Sequence, residues 1–243
     1  MMTRQFLLAV LLAAVAVAAR ADEATIRKAV EAFVGGDAKV EGVTKAGFLD
    51  LYEVRITTRD GTRIVYTDEQ ATHIIIGSVY DAKTEADLTD ARLRKLNAIR
   101  FDELPLAQSF KVVRGKGTRQ LAYFSDPRCP YCRKFDQALQ DVDDVTVHVF
   151  LIPIIAPDSA AAAKAVWCSP DRSKAWLDLM LKGIEPPAPK ANCEAPLEKN
   201  LALSRKYRIN GTPTLIFADG QRVAGWMPAD RLSKMLAEAT PKK

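Results

Sequence analysis

Residues 119–135, RQLAYFSDPRCPYCRKF, decide the fold, because the hydrophobic pattern changes period midway through them. RQLAYFS reads as a strand and a helix starts at the cysteine motif, so Cys129 and Cys132 stand where one hands over to the other. Downstream, VTVHVFLI (145–152) reads as a second strand, TLIF (214–217) as a third and RVAGW (222–226) as a fourth after the turn Asp219-Gly220, and a final helix closes the chain. Between them, the stretch from Ser159 to about Gly183, with AAAAKAVW and AWLDLMLK, is a helical insertion before the helix that precedes Thr212-Pro213. Strand-helix-strand, then helix, hairpin and helix, makes an α/β domain over 110–243.

Upstream the chain opens on MMTRQFLLAVLLAAVAVAARADE. Arg4 precedes an apolar run from Phe6 to Ala19, and Ala19-Arg20-Ala21 has the small-x-small form of a cleavage site, which predicts a signal peptide over 1–21, cleaved near Ala21. The run is shorter than the ~20 residues of a spanning helix, so a soluble, exported mature chain is expected. Loss of Arg4 and Arg20 lowers the formal charge from +5 to +3, with basic and acidic residues interleaved. That balance carries no nucleic-acid signal.

The mature chain begins with a short helix bearing Ile26, Val30, Phe33 and Val34 on one face. In GFLDLYEVRI, Tyr52, Val54 and Ile56 alternate with Glu53, Arg55 and Thr57; Asp60-Gly61 is a two-residue hairpin signal before TRIVYT, and HIIIGSVY supplies a further strand. Residues 22–83 thus read as a small antiparallel α+β domain. So few residues bury little area alone, which leaves pairing with a second copy through a strand edge open. Over 84–109 the charge density rises into a helical linker, with Thr89 as its cap, Leu93 and Leu96 inward, and Arg92, Arg94, Lys95 and Arg100 on a solvated face.

All four cysteines, Cys129, Cys132, Cys168 and Cys193, fall in the second half, and export would let disulfides persist. At a helix N-terminus the unpaired N–H groups and the helix dipole favour a thiolate, which makes Cys129 the attacking nucleophile and Cys132 the shielded resolving thiol. Pro130 suits the first helical turn, and Arg128 brings a positive charge nearby. Zinc would need a second close Cys or His pair. Cys168 and Cys193 are single and far apart, and His73 and His148 lie on other strands, so neither a metal nor another cofactor is expected. Cys168 and Cys193 close a loop through the proline-rich EPPAPKANC segment and read as a structural bridge, with a redox role for this second pair as the alternative reading, although its wide spacing gives no built-in resolving geometry. Isomerisation of wrong disulfides and donation of a disulfide to dithiols use the same residues, and a holdase that shields apolar segments without its thiols is a third reading.

GFLDLYEVRI, IIIGSVYDA, LTDARLRKL, YFSDPRCPYCRKF and GTPT, in that order and spacing, resemble the DsbC/DsbG family of periplasmic protein disulfide isomerases. The resemblance implies a thioredoxin-like second domain and an N-terminal dimerisation domain. It also implies a V-shaped homodimer with an apolar cleft for misfolded or disulfide-containing exported proteins, and reduction by a membrane thiol reductase. A cis bond at Thr212-Pro213, presenting Thr212 to an extended substrate, rests on this resemblance. Thr212 and Pro213, with Pro130 and Tyr131, are the candidate substrate-binding residues. The Pro130-Tyr131 dipeptide is similar to the chaperone-like branch and the Cys168/Cys193 pair to the isomerase branch, which carries more weight.

Overall fold

The computed structural model describes residues 23–240 except 37, 59, 60, 190 and 191; the expected signal segment and Asp60 of the expected hairpin turn lie outside the described residues. Two compact units divide between Leu96 and Asn97.

In the first unit, helix α1 (23–34) precedes β1 (Lys39–Lys45), β2 (Tyr52–Thr58), β3 (Gly61–Thr67) and β4 (Ile74–Ile75), which pair antiparallel in the order β1-β2-β3-β4. One face packs Val40, Val54, Ile56 and Val65 against Ile26 and Val30. Phe33, one turn beyond that pair, is left 59% exposed. The other face is covered by α2 (Leu88–Leu96). The Tyr66 hydroxyl and Thr89 Oγ1 meet there at 2.7 Å, and Arg92 Nε donates to both Glu53 carboxylate oxygens at 3.1 Å. Glu53 and Tyr66 are cross-strand partners, so this polar position of β2 faces a helix instead of water. Thr89 is therefore not the cap of α2: Asp87 Oδ1 takes the Asp90 N–H at 2.8 Å. HIIIGSVY gives the sheet only Ile74–Ile75, since Ile76 already turns outward.

The second unit is α/β and thioredoxin-like. After two 3-10 turns come β5 (Phe110–Arg114), β6 (Arg119–Ser125), α3 (Pro130–Ala138), β7 (Val145–Leu151), α4 (Ser159–Trp167), α5 (Arg172–Lys182), α6 (Leu197–Lys206), β8 (Thr214–Phe217), β9 (Arg222–Ala224) and α7 (Ala229–Glu238). The sheet order is β5-β7-β6-β8-β9, with β6 and β7 parallel and the remaining neighbours antiparallel. Helices on both faces explain why β6 and β7 are continuous apolar runs. Leu121 and Tyr123 point to the face holding Phe135 and Trp176, while Ala122 and Phe124 point to the face holding Ile152, Ile209 and Ile216. β5, an edge strand paired with β7, is an element that the strand and turn signals leave out.

The insertion consists of α4 and α5, and Gly183 ends α5 in the left-handed region (φ +70°), where a side chain would strain the backbone. Cys168, at the end of α4, is disulfide-bonded to Cys193, just before α6. Replacing Cys168 and Cys193 together by Ala should lower the unfolding free energy of this unit by about 3.5 kcal/mol through lost loop-closure entropy. Denaturant titration checks this, and a loss below about 1 kcal/mol would mean that the bridge constrains the unfolded chain far less than its loop implies.

Candidate functional site

Ser125 ends β6, and the turn Asp126–Arg128 delivers Cys129 to the N-cap of α3, with Pro130 at the first helical position. Proline costs nothing there, because that N–H has no intrahelical partner. Cys129 Sγ accepts the Cys132 N–H at 3.4 Å, and its thiol lies 3.2 Å from the Thr212 carbonyl oxygen. The Thr212-Pro213 bond is cis, and the Pro213 carbonyl accepts the Gly225 N–H at 2.8 Å. The structure thus brings Cys129, Cys132, Pro130 and Thr212 together, with Pro213 adjoining. Tyr131 stands beside them, 53% exposed, with Lys134 Nζ 5.4 Å from its ring centre and 6.0 Å from that of Trp226.

Asp126 holds this turn. Its wholly buried carboxylate accepts the Arg128 N–H at 2.7 Å, the Ser159 hydroxyl at 2.8 Å, and the Ile154 and Ile155 N–H groups at 2.7 and 2.9 Å. Its carbonyl accepts the Cys129 N–H. The exposed side chains of Ile154 and Ile155 are thereby fixed to the cysteine turn. Arg128 does not lend Cys129 a free charge: its guanidinium pairs with Asp158 at 2.9 Å and Glu185 at 2.5 Å, which ties the segment after α5 to the cysteine turn.

Exposure hardly separates the two thiols, since Cys129 is 3% and Cys132 0% exposed, and both are free. Hydrogen bonding separates them. The Cys129 thiol is lowered to about 6, chiefly by a hydrogen bond from the Cys132 thiol, then by the Thr212 side chain and the N–H groups of Cys132 and Tyr131, all against the opposing effect of burial. Burial pushes the Cys132 thiol far up, and a neighbouring Cys129 thiolate pushes it further. Sulfur can therefore carry charge at the helix tip and must stay protonated one turn in.

Behind Cys132 lies a buried polar group. Asp136 Oδ2 accepts the Tyr123 hydroxyl at 3.0 Å and Oδ1 the Trp176 Nε1–H at 3.0 Å; the Tyr123 hydroxyl also lies 3.2 Å from the Cys132 carbonyl oxygen. Burial raises the Asp136 carboxyl to about 7. Asp126, Tyr123, Ser125, Asp136 and Trp176 are not among the residues marked from sequence. Asp136 had a signal: Cys132, Phe135, Asp136 and Leu139 share one face of the helix, and the other three are plainly core residues. Among the described residues no group of three or more His, Cys, Asp or Glu side chains could hold a metal ion. His148 is bonded to Gln120 and His73 to Asp68.

Residues 106–240 match the model of the thioredoxin-like domain family, and residues 17–90 that of the disulfide bond isomerase protein N-terminal domain. A probable thiol:disulfide interchange protein DsbC of Bordetella parapertussis is 44% identical over 76% of this chain and 64% of its own length. The thiol:disulfide interchange protein DsbC of Escherichia coli is 27% identical over 98% of this chain and 97% of its own. The chain therefore spans less than two thirds of the Bordetella relative but nearly all of the E. coli one. The crystal structure of a disulfide interchange protein from Neisseria gonorrhoeae, 37% identical, superposes with a TM-score of 0.55 over 57% of this chain and 100% of that one.

The folded Asp136 carboxyl keeps its proton up to about pH 7, whereas an unfolded one loses it near 4. Between those values the folded unit binds more protons than the unfolded chain, so its stability falls as pH rises through the window. Asp136→Asn cannot ionise and should lack this slope. Between pH 4 and 7.5 the wild type should lose stability relative to the variant by up to about 4 kcal/mol, read from denaturant midpoints; parallel curves would refute the assignment.

Proposed function

The chain belongs to the DsbC family of thiol:disulfide interchange proteins, and from that premise we propose that it is a protein disulfide isomerase that forms and rearranges disulfide bonds in exported proteins. The observation that carries this reading is the asymmetric thiol pair at the tip of α3: one sulfur acidified by converging donors, the other sealed behind it. The Cys129 thiolate attacks a substrate disulfide in line, a mixed disulfide forms, and one substrate sulfur leaves as thiolate. A substrate thiol then displaces Cys129 and completes isomerisation, or Cys132 does so and closes the Cys129–Cys132 disulfide. Run backwards, the same step donates that disulfide to a substrate dithiol.

Thr212 and Pro213, with Pro130 and Tyr131, form the surface for an extended substrate, and the exposed Ile154, Ile155, Ile184 and Trp226 suit the apolar side chains of unfolded proteins. That rim also favours a second, thiol-independent role in holding such segments. Residues 22–83 serve as the dimerisation domain of a homodimer, 84–109 as a linker and 110–243 as the catalytic domain. The protein works in the periplasm after removal of residues 1–21, with a membrane thiol reductase keeping Cys129 and Cys132 reduced. No helix among the described residues is long and apolar enough to cross a membrane.

Alkylation of the reduced protein should show a rate that bends near pH 6 and is lost in Cys129→Ser. Cys132→Ser should accumulate mixed disulfides with a scrambled substrate, while Cys129→Ser should reshuffle it no faster than buffer. Native-rate reshuffling by Cys129→Ser would overturn the assignment, and a monomer in sedimentation at micromolar concentration would overturn the dimer.

A further inference from the structure

The circuit of residues around the reactive sulfur is closed by a cation. Cys129 Sγ lies 3.2 Å from the Thr212 carbonyl oxygen, the Pro213 carbonyl accepts the Gly225 N–H at 2.8 Å, and Gly225, with a φ of +89°, turns the chain after β9 into Trp226. From the other direction, Tyr131 stands in the first turn of α3 between the two cysteines. Both aromatic residues are exposed. Lys134 Nζ lies over both rings, 5.4 Å from the centre of Tyr131 and 6.0 Å from that of Trp226. An ammonium drawn to two ring faces is held in place, yet none of its three N–H donors is committed to a carboxylate.

Charge near the sulfur is unevenly distributed. Lys134 and its exposed neighbour Arg133 have no carboxylate within 4 Å among the described residues. At the turn that precedes Cys129 the balance is reversed, because the single Arg128 guanidinium faces two carboxylates, Asp158 and Glu185. The α3 and Trp226 flank thus carries two uncompensated positive charges beside exposed aromatic rings, whereas the Arg128 cluster carries a net negative charge. The main donors that acidify Cys129 are the Cys132 thiol, the Thr212 side chain and the N–H groups of Cys132 and Tyr131. The Lys134 charge is left for a ligand.

We propose that Lys134, steadied by Tyr131 and Trp226, is a specificity determinant that selects substrates with an acidic side chain beside the reactive cysteine. The inference rests on the thiol-exchange reading above and names the substrate feature that this site prefers. An extended segment laid along Thr212 and Pro213, with its cysteine sulfur at Cys129, brings a flanking side chain to Tyr131 and Trp226, where a carboxylate accepts the Lys134 N–H groups in a charge-assisted hydrogen bond. A basic side chain in the same place meets Arg133 and Lys134 as like charges and is disfavoured. Because the pair is exposed to water, its effect is modest and is greatest at low salt.

Short peptides test this with the full-length reduced protein, each carrying one cysteine as a mixed disulfide with a neutral chromogenic aromatic thiol and flanked on both sides by Asp, Ser or Lys. Release of the coloured thiol reports Cys129 attack, and each rate is divided by that of a small neutral thiol with the same peptide. At low ionic strength the Asp-flanked peptide should react about fivefold faster than the Ser-flanked one, and the Lys-flanked one more slowly. The Asp preference should vanish in Lys134→Gln and persist in Lys116→Gln, which removes the same charge from the turn between β5 and β6. Equal rates for the Asp and Ser peptides in the wild type overturn the proposal, as does a preference that survives Lys134→Gln or is lost equally in Lys116→Gln. Failure of the underlying reading looks different: release that persists in Cys129→Ala overturns thiol exchange at this residue altogether.

Discussion

A thiolate that is 3% exposed cannot be stabilised by water, so every charge-stabilising contact must come from the protein. The second unit supplies them by a local device. A strand delivers Cys129 to the first turn of α3, where N–H groups have no intrahelical acceptor, and the Cys132 thiol and the Thr212 side chain add their own donors. The free pair is held apart by environment more than by depth. Three residues of helix carry the second sulfur from the donor-rich tip into the apolar cluster of Phe135, Leu139 and Trp176.

That arrangement needs a rigid turn ahead of the helix, and Asp126 provides one. A buried carboxylate with four donors is expensive to desolvate but fully satisfied. In return it ties the cysteine turn to residues 154–159, so that the apolar rim and the reactive sulfur are positioned by the same group. Arg128 extends the tie through Asp158 and Glu185 to the segment that follows α5. Its charge is spent on this architecture, which is why a positive residue beside a cysteine is not by itself a reason for thiol acidity. The helical insertion thus acts on the site through its edges, with Ser159 opening α4 and Glu185 following α5.

Much of the fold was legible because period and punctuation agree: β6, α3, β7 and β8 are runs whose pattern, length and flanking turns point the same way. The misses share a cause, dependence on partners distant in sequence. β5 alternates weakly, with Val113 exposed, and becomes a strand only by pairing with β7. Glu53 reads as a solvent position until Arg92 of α2 arrives to pair with it. Phe33 fits the apolar stripe of α1 yet lies past the part that is covered. At the site, the cysteines and the proline loop could be marked because their chemistry is tied to a local motif. Asp126 could not, since two of its donors are backbone groups from a loop whose position only the folded chain defines.

The buried polar residues complete the contrast between the two sulfurs. Each has an otherwise unpartnered hydroxyl beside it, Thr212 Oγ1 for Cys129 and Ser125 Oγ for Cys132. A protein interior seldom leaves such groups unsatisfied, and two in one site, each against a sulfur that must pass through an anionic state, have a common explanation. A neutral thiol is a weak acceptor, whereas a thiolate is a strong one. Donors that are idle against the thiol and engaged against the thiolate stabilise the charged state selectively, which is the condition for lowering a barrier instead of merely tightening the resting structure. Thr212 and Ser125 thus both act in one direction, each lowering the proton affinity of the sulfur beside it against the opposing effect of burial.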